Sequence, residues 1–221
     1  MIGVLLLGLL VGMKHALEAD HVAAVATLAT RSASVSERVK LASMWGAGHA
    51  GTLFLLGGTV LALGLSLPEY LTRAFEGVVG VMLIALGLDV LRRLRSRSVH
   101  FHRHHHGDGR EHFHAHAHDA SRGHEHTHGL LPRALLVGSV HGLAGTAALV
   151  VLSLQLTQST VQALLYLATF GLGSVAGMAT LSLAISVPVR MTSARLGSAW
   201  RMVEGALGVL TIGLGCWMAW R

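Results

Sequence analysis

Residues 5–30 read LLLGLLVGMKHALEADHVAAVATLAT, an apolar run interrupted at its middle by HALEADH, residues 15–21. A helix needs about 20 apolar residues, at roughly 1.5 Å each, to cross the hydrocarbon core of a bilayer. The run meets that length, and its interruption sets two histidines and two acids where water is scarce. No Lys or Arg precedes the apolar stretch, and it extends well past the length of a signal core, so it is expected to stay in the membrane.

The rest of the chain continues the pattern. It has 221 residues, 52% of them hydrophobic and only 13% charged, with a mean hydropathy of +0.58. That composition belongs to the membrane class. Apolar windows recur at roughly 2–29, 41–65, 72–92, 130–155, 160–187 and 199–220. They predict an all-α polytopic membrane protein with six transmembrane helices.

Charge placement orients those helices. Arg31, Arg38 and Lys40 follow the first window, eight arginines from Arg92 to Arg133 lie between the third and fourth, and Arg190, Arg195 and Arg201 link the fifth to the sixth. The opposite side has only Arg73 and Arg221. By the positive-inside rule the three basic connections are cytoplasmic and both termini lie outside. Membrane orientation accounts for the basic charge better than a nucleic-acid surface does, and no nucleic-acid partner is expected. Trp45, Trp200, Trp217, Trp220, Tyr70 and Tyr166 fall near the expected helix ends, where amphipathic rings favour the headgroup region. A single cysteine, Cys216, excludes an internal disulfide and a cysteine-based metal site.

The chain also repeats itself. LLVGMKHAL (9–17) and LLVGSVHGL (135–143) share six identities and set His15 against His141. RAFEGVVGVMLIALG (73–87) and RMVEGALGVLTIGLG (201–215) share eight, at nearly the same offset, and between them Trp45-Gly46-Ala47-Gly48 faces Phe170-Gly171-Leu172-Gly173. Three helices per unit reverse the second copy, so the expected architecture is two inverted three-helix repeats, as in secondary transporters whose sites lie near mid-bilayer. The expected organisation is a first membrane repeat over 1–92, a His-rich cytoplasmic loop over 93–129 and a second repeat over 130–221. The loop has twelve of the sixteen histidines, and its low complexity predicts disorder. Its His102, His104, His105, His106, His112, His114, His116, His118, His124, His126 and His128 are candidate metal-buffering residues.

The other four histidines, His15, His21, His49 and His141, all lie inside expected spans. Ionisable groups at mid-bilayer are costly and mark ion paths when they face a bundle interior. Helix rise puts His15 and His141 near the centres of their helices, with His49 about 5 Å and His21 about 9 Å to the cytoplasmic side. Together with Glu18 and Asp20 they offer imidazole and carboxylate, the ligand types suited to divalent Ni, Co, Zn or Mn. An ideal helix lines up His15, Glu18 and His21 but turns Asp20 about 140° from His15, so either the helix is distorted or Asp20 has another part. Lys14 would repel a cation, and Glu18, four residues on, can neutralise it, which leaves His15, Asp20, His21 and His49 as the better ligand candidates. Arg73 with Glu76 and Arg201 with Glu204 read as structural i,i+3 pairs. The small residues of WGAGHAGT (45–52) and GSVHGLAGTAA (138–148) let backbones approach and leave room for an ion.

In these residues the chain resembles the nickel/cobalt transporter family, especially its short, urease-accessory-like bacterial permeases. His15-Ala16-Leu17-Glu18-Ala19-Asp20-His21 fits the family signature of His, four residues, then Asp-His, and Gly48-His49 is similar to the Gly-His of the next family helix. The resemblance implies Ni2+ or Co2+ translocation across a bacterial cytoplasmic membrane, with His15, Asp20, His21 and His49 as selectivity and transport positions. It implies no resident cofactor, and cytoplasmic metallochaperones of nickel or cobalt enzymes as partners beside the ion and the lipid. Two departures stand out. Larger members have eight helices with the signature on the second, so by this resemblance the chain is expected to lack one leading helix. The fourth helix reads Val140-His141-Gly142-Leu143-Ala144-Gly145 where larger permeases have a Phe-Asp pair, which leaves Ni2+, Co2+ and Zn2+ open.

Uptake is the leading expectation and efflux the alternative, since a His-rich loop suits either direction. A membrane metal sensor or store acting through the loop would leave the four intramembrane histidines unexplained. His124-Glu125-His126-Thr127-His128 matches the zinc-protease pattern H-E-x-x-H, but that pattern needs a helix, and this one sits between Gly123 and Gly129 in a low-complexity tract. No enzyme activity is expected.

Overall fold

A computed structural model describes residues 2–30, 34–96, 99–105, 111–117, 130–196 and 198–220. Among the described residues eight helices carry the fold: α1 (Ile2–His15), α2 (Ala19–Ala29), α3 (Val35–Ala62), α4 (Glu69–Ser96), α5 (Leu130–His141), α6 (Thr146–Leu156), α7 (Thr160–Leu196) and α8 (Ser198–Trp220). The order is a broken helix followed by two long ones, and then the same again.

Local chemistry explains most of the ends. Ser34 caps α3 by accepting from the backbone N–H of Glu37 at 3.1 Å, the first half of a capping box. Gly64 stops α3 at φ +62°, a left-handed conformation that costs glycine little, and Pro68 precedes α4. The gap between α5 and α6 holds Gly142 and Gly145, the latter at φ +79°. The gap between α1 and α2 is different. Ala16, Leu17 and Glu18 are good helix formers, yet the chain tightens into i→i+3 bonds (Leu17 N–H to Lys14 O, 2.9 Å; Glu18 N–H to His15 O, 3.0 Å) and then extends at Glu18, φ −65° and ψ 150°. The two helices meet at a 60° bend.

Glycines bring the helices together. α1 lies on α7, where a Cβ on Gly12 would strike the carbonyl of Phe170 and one on Gly173 the carbonyl of Leu9. α5 lies on α3 in the same manner, Gly138 against the carbonyl of Trp45 and Gly48 against that of Leu135. α4 and α8 pair through Gly80 against Gly215 and Gly87 against Gly208. Such close backbone approach is how helices associate where lipid offers no hydrophobic drive.

The surface is apolar and the interior partly polar. Leu55, Leu136, Leu172 and Leu210 are exposed, while His21, His49, His141, Ser153, Ser174, Ser182, Ser186 and Thr211 are buried. That distribution is the one expected of a protein in lipid. Among the described residues, α4, residues 160–186 of α7 and residues 200–220 of α8 are long and apolar enough to cross a membrane, and the bent α1–α2 pair makes a fourth if counted as one span.

Two strands, β1 (Val99–His105) and β2 (Glu111–Ala117), pair antiparallel within the His-rich segment, setting His100, His102 and His104 opposite His116, His114 and His112. Composition alone reads this tract as disordered, but histidine alternates there with Val, Phe, Arg and Ala at the period of a strand. His106, His118, His124, His126 and His128, and with them the H-E-x-x-H match, lie outside the described residues.

Candidate metal centre

Four helices deliver the polar cluster. His15 ends α1, Asp20 and His21 open α2, His49 sits midway along α3 and His141 ends α5. The break after His15 lets α1 and α2 present their histidines to a common centre from two directions. Ring centroids of His15 and His21 are 4.4 Å apart, of His21 and His49 4.8 Å, of His15 and His49 5.4 Å, and of His21 and His141 4.2 Å. His21, His49 and His141 are buried, and the His15 side chain is 13% exposed.

Both acids bind imidazoles. Glu18 Oε1 lies 2.9 Å from His15 Nδ1. Asp20 Oδ1 lies 2.9 Å from His21 Nδ1 and also accepts the backbone N–H of His21 at 3.0 Å. The other oxygen, Oδ2, lies 2.9 Å from His141 Nε2, a link between residues 121 apart in the chain. Five buried imidazole nitrogens are left without a hydrogen-bond partner: Nε2 of His15, Nε2 of His21, both nitrogens of His49 and Nδ1 of His141. Buried polar atoms are nearly always satisfied, so five orphans in one place call for a missing partner. Ligand atoms of His15, His21 and His49 lie within 4.8 Å of one another, as do those of Asp20, His21 and His141, which is close enough for one divalent ion to gather either set.

A cavity of about 460 Å3 lined by Lys14, His15, Glu18, Gly145, Leu149 and Phe170 reaches the cluster from one side. A second, of about 340 Å3, lies toward the other end of the bundle among Leu28, Leu41, Leu86, Asp89 and Arg133. Packed core that includes Val25, Leu28, Leu41, Trp45 and Ala134 fills the bundle on that side of the cluster.

All six residues that the sequence offers as ligands therefore meet, but several partnerships differ from expectation. Glu18 bonds His15 rather than Lys14. Asp20, turned away on an ideal helix, is brought in because the helix breaks before it. Arg73 pairs with Glu69, 2.6 Å away at i−4, in place of Glu76. Glu204 accepts from the Trp200 indole at 2.9 Å, and Arg201 reaches the carbonyl of Leu94 at 3.4 Å. Trp45 is not a headgroup anchor: it is fully buried, with its ring 5.6 Å from His21 and 5.1 Å from His141. Its position four residues before His49, hence on the same face of α3, is the signal that would have found it. Tyr166 is likewise buried in the core.

Among curated proteins the chain is similar to the urease accessory protein UreH of Bacillus sp. (strain TB-90), with 29% identity over 200 residues, 89% of this chain and 82% of that protein. No family profile matches it. No solved structure matches it either.

Proposed function

We propose, from the resemblance to the nickel/cobalt transporter family together with the similarity to a urease accessory protein, that this chain is a secondary transporter of divalent transition-metal cations, carrying Ni2+, Co2+ or both inward through the histidine cluster. The observation that carries the reading is the set of five buried, unpartnered imidazole nitrogens converging from four helices. A hydrated dication can shed water only where other donors replace it, and lone pairs on neutral imidazoles are such donors.

Six spans arranged as two inverted repeats give the cluster its place at mid-bilayer. The recurrence of glycine contacts supports this: the Leu9–Gly173 approach of α1 on α7 has its counterpart in Leu135–Gly48 of α5 on α3, and Gly80–Gly215 in Gly208–Gly87. With the termini outside and the His-rich loop in the cytoplasm, the cavity at Lys14 and Glu18 faces outward and the cavity at Asp89 and Arg133 faces inward. The cation enters beside Glu18, exchanges water for imidazole, and leaves when the halves rock to open the opposite side. An inward-negative potential favours that direction by about 2.3 kcal/mol per charge per 100 mV.

Accumulation of radiolabelled nickel and cobalt in cells expressing the chain tests the proposal, with His15→Ala, His21→Ala and His49→Ala as controls and the loop intact. Raised accumulation that all three variants abolish is the expected result. Lowered accumulation identifies export, and equal accumulation by wild type and variants removes the cluster from the path.

A further inference from the structure

Resting on that reading of the cluster as an ion site, we infer that Asp20 is a positioning carboxylate: it holds His21 of α2 and His141 of α5 with its two oxygens, and the ion is met by imidazole nitrogens alone. The bonding pattern assigns the roles. A carboxylate only accepts hydrogen bonds, so each imidazole nitrogen that bonds Asp20 must carry the proton. His21 is therefore protonated at Nδ1 and His141 at Nε2, and their lone pairs sit at His21 Nε2 and His141 Nδ1. Those are the two nitrogens left without a partner. The Glu18–His15 pair follows the same logic, with Nδ1 bonded to the acid and Nε2 unpartnered.

The result is a carboxylate behind the imidazole and a lone pair in front, the arrangement by which proteins fix the tautomer and raise the basicity of metal-binding histidines. Asp20 cannot turn its oxygens to an ion and keep these bonds. Oδ1 already accepts from His21 Nδ1 and from the His21 backbone N–H, and Oδ2 from His141. Turning away would leave a buried imidazole N–H with no acceptor. His141 gains a part from this. It anchors Asp20 across the two halves of the chain, so that the α5 helix helps to set the aim of a histidine on α2. A site of nitrogen donors favours Ni2+, Co2+, Cu2+ and Zn2+ and discriminates against Mg2+, Ca2+ and Mn2+, which prefer oxygen.

The test is Co2+ titration of the purified full chain followed by its visible ligand-field bands, read as difference spectra against His21→Ala so that binding by the loop cancels. His49→Ala serves as a second baseline. Asp20→Asn retains only one carbonyl oxygen for two imidazole donors. It is expected to weaken Co2+ binding about 10- to 100-fold, the usual cost of losing an outer partner, with band positions unchanged. His141→Gln keeps an amide N–H for Asp20 and loses only the imidazole lone pair, so it is expected to weaken Co2+ binding clearly less than His141→Phe, which removes both and falls at least as far as Asp20→Asn. Two changes within one hydrogen-bonded network are non-additive, so Asp20→Asn combined with His141→Phe should cost less than the sum of the two single losses. Equimolar Mn2+ should not displace Co2+.

Bands that shift in Asp20→Asn as they do in His15→Ala make Asp20 a ligand and overturn the inference, as does displacement by Mn2+. Should Asp20→Asn fail to purify as a monodisperse protein, the His141 pair decides alone: equal loss in Gln and Phe overturns the positioning role, and rescue by Gln supports it. A wild type with no difference spectrum against either baseline sinks the proposed ion site itself, whereas bound and transported metal with shifted Asp20→Asn bands sinks only this assignment.

Discussion

The α1–α2 and α5–α6 pairs break after corresponding histidines, His15 and His141, but the two breaks are made and used differently. In the second pair glycine makes the break, with Gly145 in the left-handed region and Gly142 against the backbone of His49. In the first, three residues that favour helix are held out of it, and the turn they form carries Glu18 while the next turn carries Asp20 and His21. A position equivalent in sequence to His49 is Ser174 on α7, whose hydroxyl donates to the carbonyl of Gly12 at 3.3 Å. The glycine contacts recur across the chain, whereas the histidines and acids of the cluster are concentrated on α1, α2 and α3, with His141 the single contribution from α5. On the proposed reading one ion site needs one set of donors, so recurrence of the packing does not require recurrence of the donors.

The largest effects should fall on that asymmetry. His21→Ala and His49→Ala remove unpartnered nitrogens from the centre and are expected to reduce metal accumulation to the level of cells lacking the protein. Ser174→Ala, at the matching place in the other half, loses one hydrogen bond to a backbone carbonyl, worth about 0.5–1.5 kcal/mol, and should transport at a rate within a few-fold of wild type. Equal loss in Ser174→Ala and His49→Ala, measured as initial uptake rate at matched expression, would mean that the halves share the chemistry as well as the packing.

Next come the glycines, where the halves should behave alike. A side chain at Gly12 meets the carbonyl of Phe170, and one at Gly138 meets the carbonyl of Trp45. Gly12→Val and Gly138→Val should each destabilise the protein by at least the 1–3 kcal/mol typical of overpacking, visible as a lower melting temperature of the detergent-purified chain. Gly51 and Gly213, with open space where a Cβ would go, should accept Ala with little change. A melting temperature that falls for Gly12→Val but not for Gly138→Val would mean that α5 can shift on α3 where α1 cannot shift on α7.

The polar cluster was legible in the sequence because it is expensive: four histidines and two acids inside apolar windows have few bland explanations. The sequence match of His15 with His141 and of Glu76 with Glu204 has a structural counterpart in the recurring glycine contacts of α1 on α7 and of α5 on α3. The break at Ala16–Glu18 was not, because local propensity favours helix there. The geometry goes with Asp20 bonding His21 and His141 at once, a demand made by a helix more than a hundred residues away. An ideal helix turns Asp20 outward and offers Glu18 to Lys14, which leaves a distorted helix and another part for Asp20 equally open; the break at Ala16–Glu18 is the distortion. Trp45 was misplaced for a related reason. Proximity to a helix end reads as a membrane interface, while its actual setting is fixed by α5 crossing at Gly138.

A smaller effect separates the two carboxylates. Glu18 backs one imidazole and its side chain is 59% exposed, whereas Asp20 backs two and is 16% exposed. Water can replace part of what Glu18→Gln removes, so its loss of apparent metal affinity should be nearer the low end of the 10- to 100-fold range for outer partners than that of Asp20→Asn. A Glu18→Gln chain as impaired as Asp20→Asn would indicate that the acid beside the cavity meets the ion directly.

The smallest effect is expected farthest from the centre. Arg73 and Glu69 form a close ion pair on α4, but their side chains are 64% and 79% exposed. Exposed pairs one turn apart on a helix contribute roughly 0.3–0.5 kcal/mol, and salt screens them further. Glu69→Gln should therefore leave both the melting temperature and metal uptake almost unchanged. The corresponding arginine of the second half, Arg201, reaches the carbonyl of Leu94 instead, so it bridges α8 to α4 where Arg73 bridges only to its own helix. Arg201→Ala should consequently cost slightly more than Arg73→Ala in thermal stability. The reverse order would mean that the carbonyl contact at 3.4 Å contributes nothing and that these two arginines, like the glycines around them, are interchangeable between halves.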